Sequence, residues 1–215
     1  VFMKLNAIHF ILTYTCNFAC DHCFLYCSPE TVGTFTLDRI GAVLAEIKKI
    51  RSVTSVSFEG GEPFLFYPLL LEAVKLANLQ GLKTTTETNT YWAISENDAG
   101  LWLKPICDAG LSLLDVSDDT FHHGEKENNS AKRAVNAAKK IGLKTNTISI
   151  SKPEIGSDSG ANQGRPIYRG GPKLRGRAAD KLSKELPTRS VTEFVECPFE
   201  DLKDPSRVHI DPFGN

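Results

Sequence analysis

Cys16-Asn17-Phe18-Ala19-Cys20-Asp21-His22-Cys23 follows closely on an apolar run, Ala7-Ile8-His9-Phe10-Ile11-Leu12-Thr13, and its cysteines stand four and three residues apart. The run reads as a buried strand that ends at the loop, and the spacing lets three sulfurs point at one centre. Thiolates are soft ligands that select zinc or iron–sulfur clusters over oxygen-loving ions. Two fillings are open at this point. A structural zinc would take its fourth ligand from Cys27 or His22. A four-iron cluster on three sulfurs would leave one iron free to hold another molecule, with Cys27 a bystander.

Outward from the loop, the chain alternates. After Thr36, a plausible N-cap, Leu37, Ile40, Leu44, Ile47 and Ile50 recur at helical intervals. Val53 to Phe58 reads as a second strand and runs into Glu59-Gly60-Gly61-Glu62-Pro63. A helix over 69–80 is expected to stop at Gly81. Ser95 with Asp98 opens a third helix, which Pro105 should kink or shorten, and Asn128 to Lys140 supplies a fourth. Gly81, Gly110 and Gly142 each follow a helix end and precede an apolar or threonine-rich strand, about one helix-plus-strand unit apart. Five strands alternating with helices imply a parallel α/β sheet, as an open sheet or an incomplete barrel. Chemistry in such folds gathers where strands end. Those ends are the cysteine loop, Glu59–Pro63, Glu87-Thr88-Asn89, Ser117-Asp118-Asp119 and whatever follows Ile150.

Bulk properties set the frame. The 215 residues are 41% hydrophobic and 24% charged, which suits a globular domain with a full core, and the net charge of −1 gives no global field toward nucleic acid or membrane. No apolar run reaches membrane-spanning length, and no charged-then-apolar leader is evident, so the expected compartment is the cytoplasm. Four of the six cysteines crowd into twelve residues, which favours metal binding over disulfides. Cys107 reads as a small core residue. His122 and His123 read as loop histidines.

The three-cysteine motif after the first strand, with Gly60-Gly61-Glu62-Pro63 after the second, resembles the radical S-adenosylmethionine (radical SAM) superfamily. The resemblance covers about residues 6 to 150. It implies a partial (β/α)6 TIM-like barrel and a [4Fe–4S] cluster on Cys16, Cys20 and Cys23 whose free iron chelates S-adenosylmethionine (SAM). Reductive cleavage of SAM to a 5′-deoxyadenosyl radical, and hydrogen abstraction from a substrate, would follow. By the same resemblance, Gly60 and Gly61 would let the backbone approach the methionine moiety, Glu62 or carbonyls beside it would receive its ammonium, and Pro63 would fix the turn. Ser117 matches a ribose-binding position, with Asp118 beside it; Asn89 would line the cavity, and His22 would pack near the adenine. The family's glycine-rich motif of the fifth strand is not evident around Leu143–Ile150.

The tail, Cys197-Pro198-Phe199 with His209-Ile210-Asp211-Pro212-Phe213-Gly214-Asn215, resembles the start of the family's SPASM or Twitch extension, which carries auxiliary iron–sulfur clusters; here only Cys197 is available as a ligand. The expected division is therefore a core barrel over 1–150, a flexible basic loop with the last core elements over 151–190, and the start of an extension over 191–215. Val208 to Asn215 reads as a strand entering a hairpin turn without its partner, as if the chain stops early. Arg165 to Arg189 holds eight Lys/Arg and two acidic residues, either a solvated surface or a loop for an anion or an acidic peptide. The expected partners are an electron donor such as flavodoxin or ferredoxin and a ribosomal peptide, with no nucleic acid and no membrane. A small-metabolite substrate, or a non-catalytic zinc or iron–sulfur binding protein, are the alternatives.

Overall fold

The computed structural model describes residues 5–155, 167–169, 171–188, 190–193 and 203–215; Cys197 lies outside them. In chain order the elements are β1 (Ala7–Thr13), α1 (Leu37–Ile47), β2 (Ser55–Gly60), a 3-10 turn (Pro63–Phe66), α2 (Tyr67–Leu79), β3 (Lys83–Thr88), α3 (Glu96–Asp108) and β4 (Leu113–Ser117). They continue with α4 (Thr120–His123), α5 (Ser130–Lys140), β5 (Thr145–Ile148), β6 (Glu154–Ile155), β7 (Ile167–Arg169), α6 (Gly176–Leu182), a second 3-10 turn (Val191–Glu193) and β8 (Arg207–Ile210).

Local chemistry starts the helices where the sequence places them. The side chain of Thr36 accepts from the Arg39 amide at the head of α1, Ser95 accepts from Asp98 at α3, and Asn129 accepts from Lys132 at α5. Each cap satisfies one of the otherwise unpaired first-turn amides. Pro105 does not end α3, which runs on to Asp108 with the proline inside it. The missing amide falls in the last turn, where the loss of one bond is offset by burial of Leu103 and Ile106.

The main sheet has the order β5-β4-β3-β2-β1-β8, parallel throughout. Its ends at β5 and β8 stay apart, so the six strands make a partial barrel. The sixth strand corrects one expectation. Val208 to Ile210 is not half of an unpartnered hairpin: it runs alongside β1, with Ala7 opposite Arg207 and His9 opposite His209.

Alternate residues face opposite sides of a strand. Ile8, Phe10, Leu12, Val56, Phe58, Leu114 and Val116 join the core under the helices, with Phe10 stacked on Phe58 at 5.3 Å. The opposite face carries His9, Glu59, Glu87, Asp115, Ser117 and His209, a polar lining for the lumen. Cys107 packs against the helical core, as expected of a small apolar side chain. Among the described residues no helix is long and apolar enough to cross a membrane.

Candidate cluster and cofactor site

The loop after β1 is fastened before any ligand arrives. The amides of Gly61 and Glu62 donate to the carbonyls of Thr13 (2.7 Å) and Thr15 (3.0 Å), so the turn after β2 lies directly on the start of the cysteine loop. A Cβ on Gly60 would stand 2.3 Å from the Thr13 carbonyl oxygen, and one on Gly61 would stand 2.1 Å from that of Thr15. Gly60 also has φ +130°, where side chains are strained. The two glycines are therefore required by contact between two loops of this chain. That reason differs from the approach to a ligand expected from the sequence.

Glu62 is fully buried and does not line the cavity. Its Oε1 accepts from the Phe64 amide and the Thr88 hydroxyl, both at 3.0 Å, and Oε2 accepts from the Asn89 amide at 2.7 Å. The carboxylate thus ties the turn after β2, whose 3-10 helix begins at Pro63, to the end of β3, with one lone pair left on Oε2. Burial pushes its pKa up to about 7 despite those three donors. A folded carboxyl that holds its proton to about 7, against an ordinary 4.5, favours folding fully below about pH 4.5 and loses that contribution as the pH climbs through 7. The stability of the native chain relative to Glu62→Gln should accordingly fall between pH 5 and pH 7.5 in urea titrations. A constant difference would assign the effect elsewhere.

The three cysteines share one cavity of about 260 Å³ with Gly60, Gly61, Asn89, Ser117 and His22. Sulfur acceptors are already engaged: Cys16 Sγ accepts from the Phe18 amide (3.4 Å) and from Asn89 Nδ2 (3.7 Å), and Cys23 Sγ from the Cys27 amide (3.3 Å). Burial pushes the Cys16 thiol up to about 12. The hydrogen bond from the Cys27 side chain holds the Cys23 thiol below its usual range, which makes it the readier thiolate of the pair. Asn89 also donates to Asn17 Oδ1 at 2.8 Å, so β3 grips the loop as well.

Ser117 reaches the cavity, but Asp118 turns away from it and accepts from Asn129 Nδ2 at 2.6 Å. Its neighbour Asp119 takes the inner place. Asp119 holds His122 Nδ1 at 2.8 Å, and His22 lies between Phe121 (stacked, 4.5 Å) and His122 (edge-on, 4.9 Å). Burial opposes charge on His122, but the Asp119 carboxylate and the Cys20 thiol more than offset it and raise its pKa to about 10. His122, read from the sequence as an ordinary loop histidine, is thus part of the cavity wall; the four-residue helix α4 that turns it inward was not foreseen.

Two residues of the basic stretch, Lys173 and Arg177, are used within the chain. Arg177 donates to the carbonyls of Cys20 (3.0 Å) and Cys27 (2.9 Å), the Ala178 amide donates to that of Cys23 (3.1 Å), and Lys173 stands 4.9 Å over the Phe24 ring. Helix α6 therefore clamps the outer side of the cysteine loop. Arg177→Ala should leave the far-UV circular dichroism unchanged but lower iron retention severalfold after desalting, with Arg177→Lys only a partial rescue, because a single ammonium is a poor match to two fixed carbonyls. Equal iron retention in all three proteins would reduce Arg177 to a surface residue.

The site fits the cluster better than a zinc ion. A tetrahedral zinc with bonds of about 2.3 Å draws its sulfurs to about 3.8 Å apart. Among the described residues, two sets of three donor atoms lie within 4.8 Å of one another, His9/Glu59/His209 and His22/Asp119/His122, and neither includes a cysteine. The three sulfurs thus do not all lie within that distance of one another, a spread wider than a zinc tetrahedron draws them to. On the same wall His22 Nδ1 is buried without a partner, an open position for a polar ligand atom.

A parallel partial barrel with a three-cysteine loop after its first strand and a Gly-Gly turn locked beneath it defines a class of cluster-bearing α/β barrels. The radical SAM superfamily model matches residues 10–154, and the chain belongs to that family, which implies a [4Fe–4S] cluster and SAM. A Bacillus subtilis (strain 168) protein named for peptide biosynthesis, YydG, is 26% identical over 125 residues, 58% of this chain and 39% of that protein. MJ1632 of Methanocaldococcus jannaschii, named as a glycyl-radical enzyme activating enzyme, is 32% identical over 82 residues, 38% of this chain and 31% of that one. The matches thus span well under half the length of these relatives. HydG, a maturase of the [FeFe]-hydrogenase, shares the fold with a TM-score of 0.50 at 14% identity, over 71% of this chain and 37% of its own.

Proposed function

We propose that this chain is the core of a radical SAM enzyme in which Cys16, Cys20 and Cys23 hold the [4Fe–4S] cluster and the wall of Gly60, Gly61, Asn89, Ser117 and His22 receives SAM. The observation that carries the reading is that all of these residues meet in one cavity, brought there from the ends of β1, β2, β3 and β4. When bound, the cluster and SAM supply a 5′-deoxyadenosyl radical able to take hydrogen from an unactivated carbon.

The chain's own residues orient and shield. The amides of Gly61 and Glu62 are taken by Thr13 and Thr15, so the turn has carbonyl oxygens rather than N–H groups to offer an ammonium, with Glu62 bracing the turn from behind. Asn89 holds Cys16 in place through its Nδ2, and a donor to a cluster sulfur also tunes the cluster's potential. Phe18, Phe24, Leu25, Ile148 and Ile150 give the cavity apolar walls that exclude water from a reactive radical. The likeness to YydG, named for peptide biosynthesis, supports a peptide substrate, and flavodoxin or ferredoxin is the electron donor we propose. An auxiliary-cluster extension, to which Cys197 would contribute, is proposed for the tail; of the span 191–215, residues 207–210 are themselves the sixth strand of the core sheet.

Anaerobic reconstitution should give a brown protein with about four irons on the three cysteines. With dithionite and SAM it should release 5′-deoxyadenosine. A colourless, zinc-bearing protein with no cleavage product overturns the reading.

A further inference from the structure

The lumen below the cluster holds a second group of ligating side chains that the radical chemistry does not use. His9 on β1 and His209 on β8 stand abreast in the strand register, with ring centroids 5.0 Å apart. Glu59 on β2 reaches both: Oε2 is 2.9 Å from His9 Nδ1, and Oε1 is 2.9 Å from His209 Nε2. All three residues line the same cavity as the cysteines. We propose that His9, Glu59 and His209 bind a divalent transition-metal ion in the barrel lumen, with Glu87 as the supporting carboxylate.

The geometry suits one ion. Bonds of about 2.1 Å to nitrogen and oxygen place neighbouring ligand atoms about 3.0 Å apart at right angles and about 3.4 Å apart in a tetrahedron. The two 2.9 Å separations run to different oxygens of Glu59, and one ligand atom from each residue can be taken so that all three lie within 4.8 Å of one another. Two imidazoles with one carboxylate form a borderline set that suits zinc, iron(II) or manganese and leaves coordination positions open.

A hydrogen-bonded His–Glu–His group without metal would account for Glu59 alone. Glu87, on the next strand, lines the same cavity and brings a second carboxyl to the group. Two ionised carboxylates side by side repel. A cation bound by the two imidazole nitrogens and Glu59 would let both acids ionise side by side. Its free positions face the cavity, so the ion would act as a Lewis acid that anchors a carbonyl or carboxylate oxygen of a substrate. The site stands independently of whether SAM is cleaved.

The test uses the cluster-loaded chain under anaerobic conditions, with manganese(II) as probe because it prefers oxygen and nitrogen donors to free thiols. Loss of the six-line electron paramagnetic resonance signal of hydrated manganese should reach one ion per chain and be reversed by zinc(II). Glu59→Gln and His209→Gln should each weaken binding at least tenfold while iron content stays unchanged. His209, at the sheet edge with its side chain about one-third exposed, is the variant least able to disturb folding. No binding by the native chain, or equal binding by the native chain and His209→Gln, overturns the proposal.

Discussion

Cys20→Ala is expected to yield a folded protein that cannot keep its iron and releases no 5′-deoxyadenosine. The same result is expected for Cys16→Ala and Cys23→Ala. The loop does not need its thiols for shape. Its start is fixed by Thr13 and Thr15, its side by Asn89 and Asn17, and its outer carbonyls by Arg177 and Ala178. Loss of one sulfur from a three-sulfur set leaves two irons without a protein ligand, so cleavage should drop to background while the thermal transition shifts by only a few degrees. Cys27→Ala is the internal control. Its thiol is buried beside Cys23, and its replacement should retain most of the iron. Cleavage that survives in Cys20→Ala, measured by product chromatography against a no-SAM blank, would remove that cysteine from the ligand set.

Gly61→Ala should be among the most damaging single-methyl changes in the chain. The added carbon would sit 2.1 Å from a backbone oxygen, and a carbonyl in a hydrogen-bonded turn cannot swing aside as a side-chain tip can. Relief requires breaking the bonds from Gly61 to Thr13 and from Glu62 to Thr15, which would also shift the Glu62 brace. A cost of about 3 kcal/mol or more is expected. For a chain of this size that lowers the melting temperature by about 6 to 12 °C. Gly41, on α1, offers the contrast: nothing lies within 4 Å of its added Cβ, and Gly41→Ala should be neutral or stabilising. Equal melting temperatures for Gly61→Ala and the native chain would show that the two loops are not locked.

The residues that sequence reading placed well were those whose roles are local. The period of Ile40, Leu44 and Ile47 fixed the buried face of α1, Thr36 and Ser95 capped as their positions require, and the cysteine and Gly-Gly-Glu-Pro motifs marked the ends of β1 and β2. What stayed hidden depends on partners far along the chain. Glu62 looked like a ligand residue because nothing nearby shows that the amide of Asn89 would occupy it. Asp118 and Asp119 are adjacent, and only the path of the chain into α4 decides which one faces inward. Arg177 belonged to a basic run whose sign suggested an external anion, whereas its acceptors lie about 150 residues earlier. A composition count cannot supply such pairings.

The pairing of β8 with β1 has a consequence for the timing of assembly. Their partnered residues, Ala7 and Arg207, are 200 positions apart. At roughly 5 to 20 residues per second, a ribosome exposes the first strand about 10 to 40 s before its outer neighbour exists. During that interval one edge of β1 is bare and the cysteines lack the clamp supplied by α6. Cells that load iron onto this protein should therefore do so after synthesis has passed β8, and a scaffold that delivers sulfur and iron earlier would meet a loop still too loose to keep them.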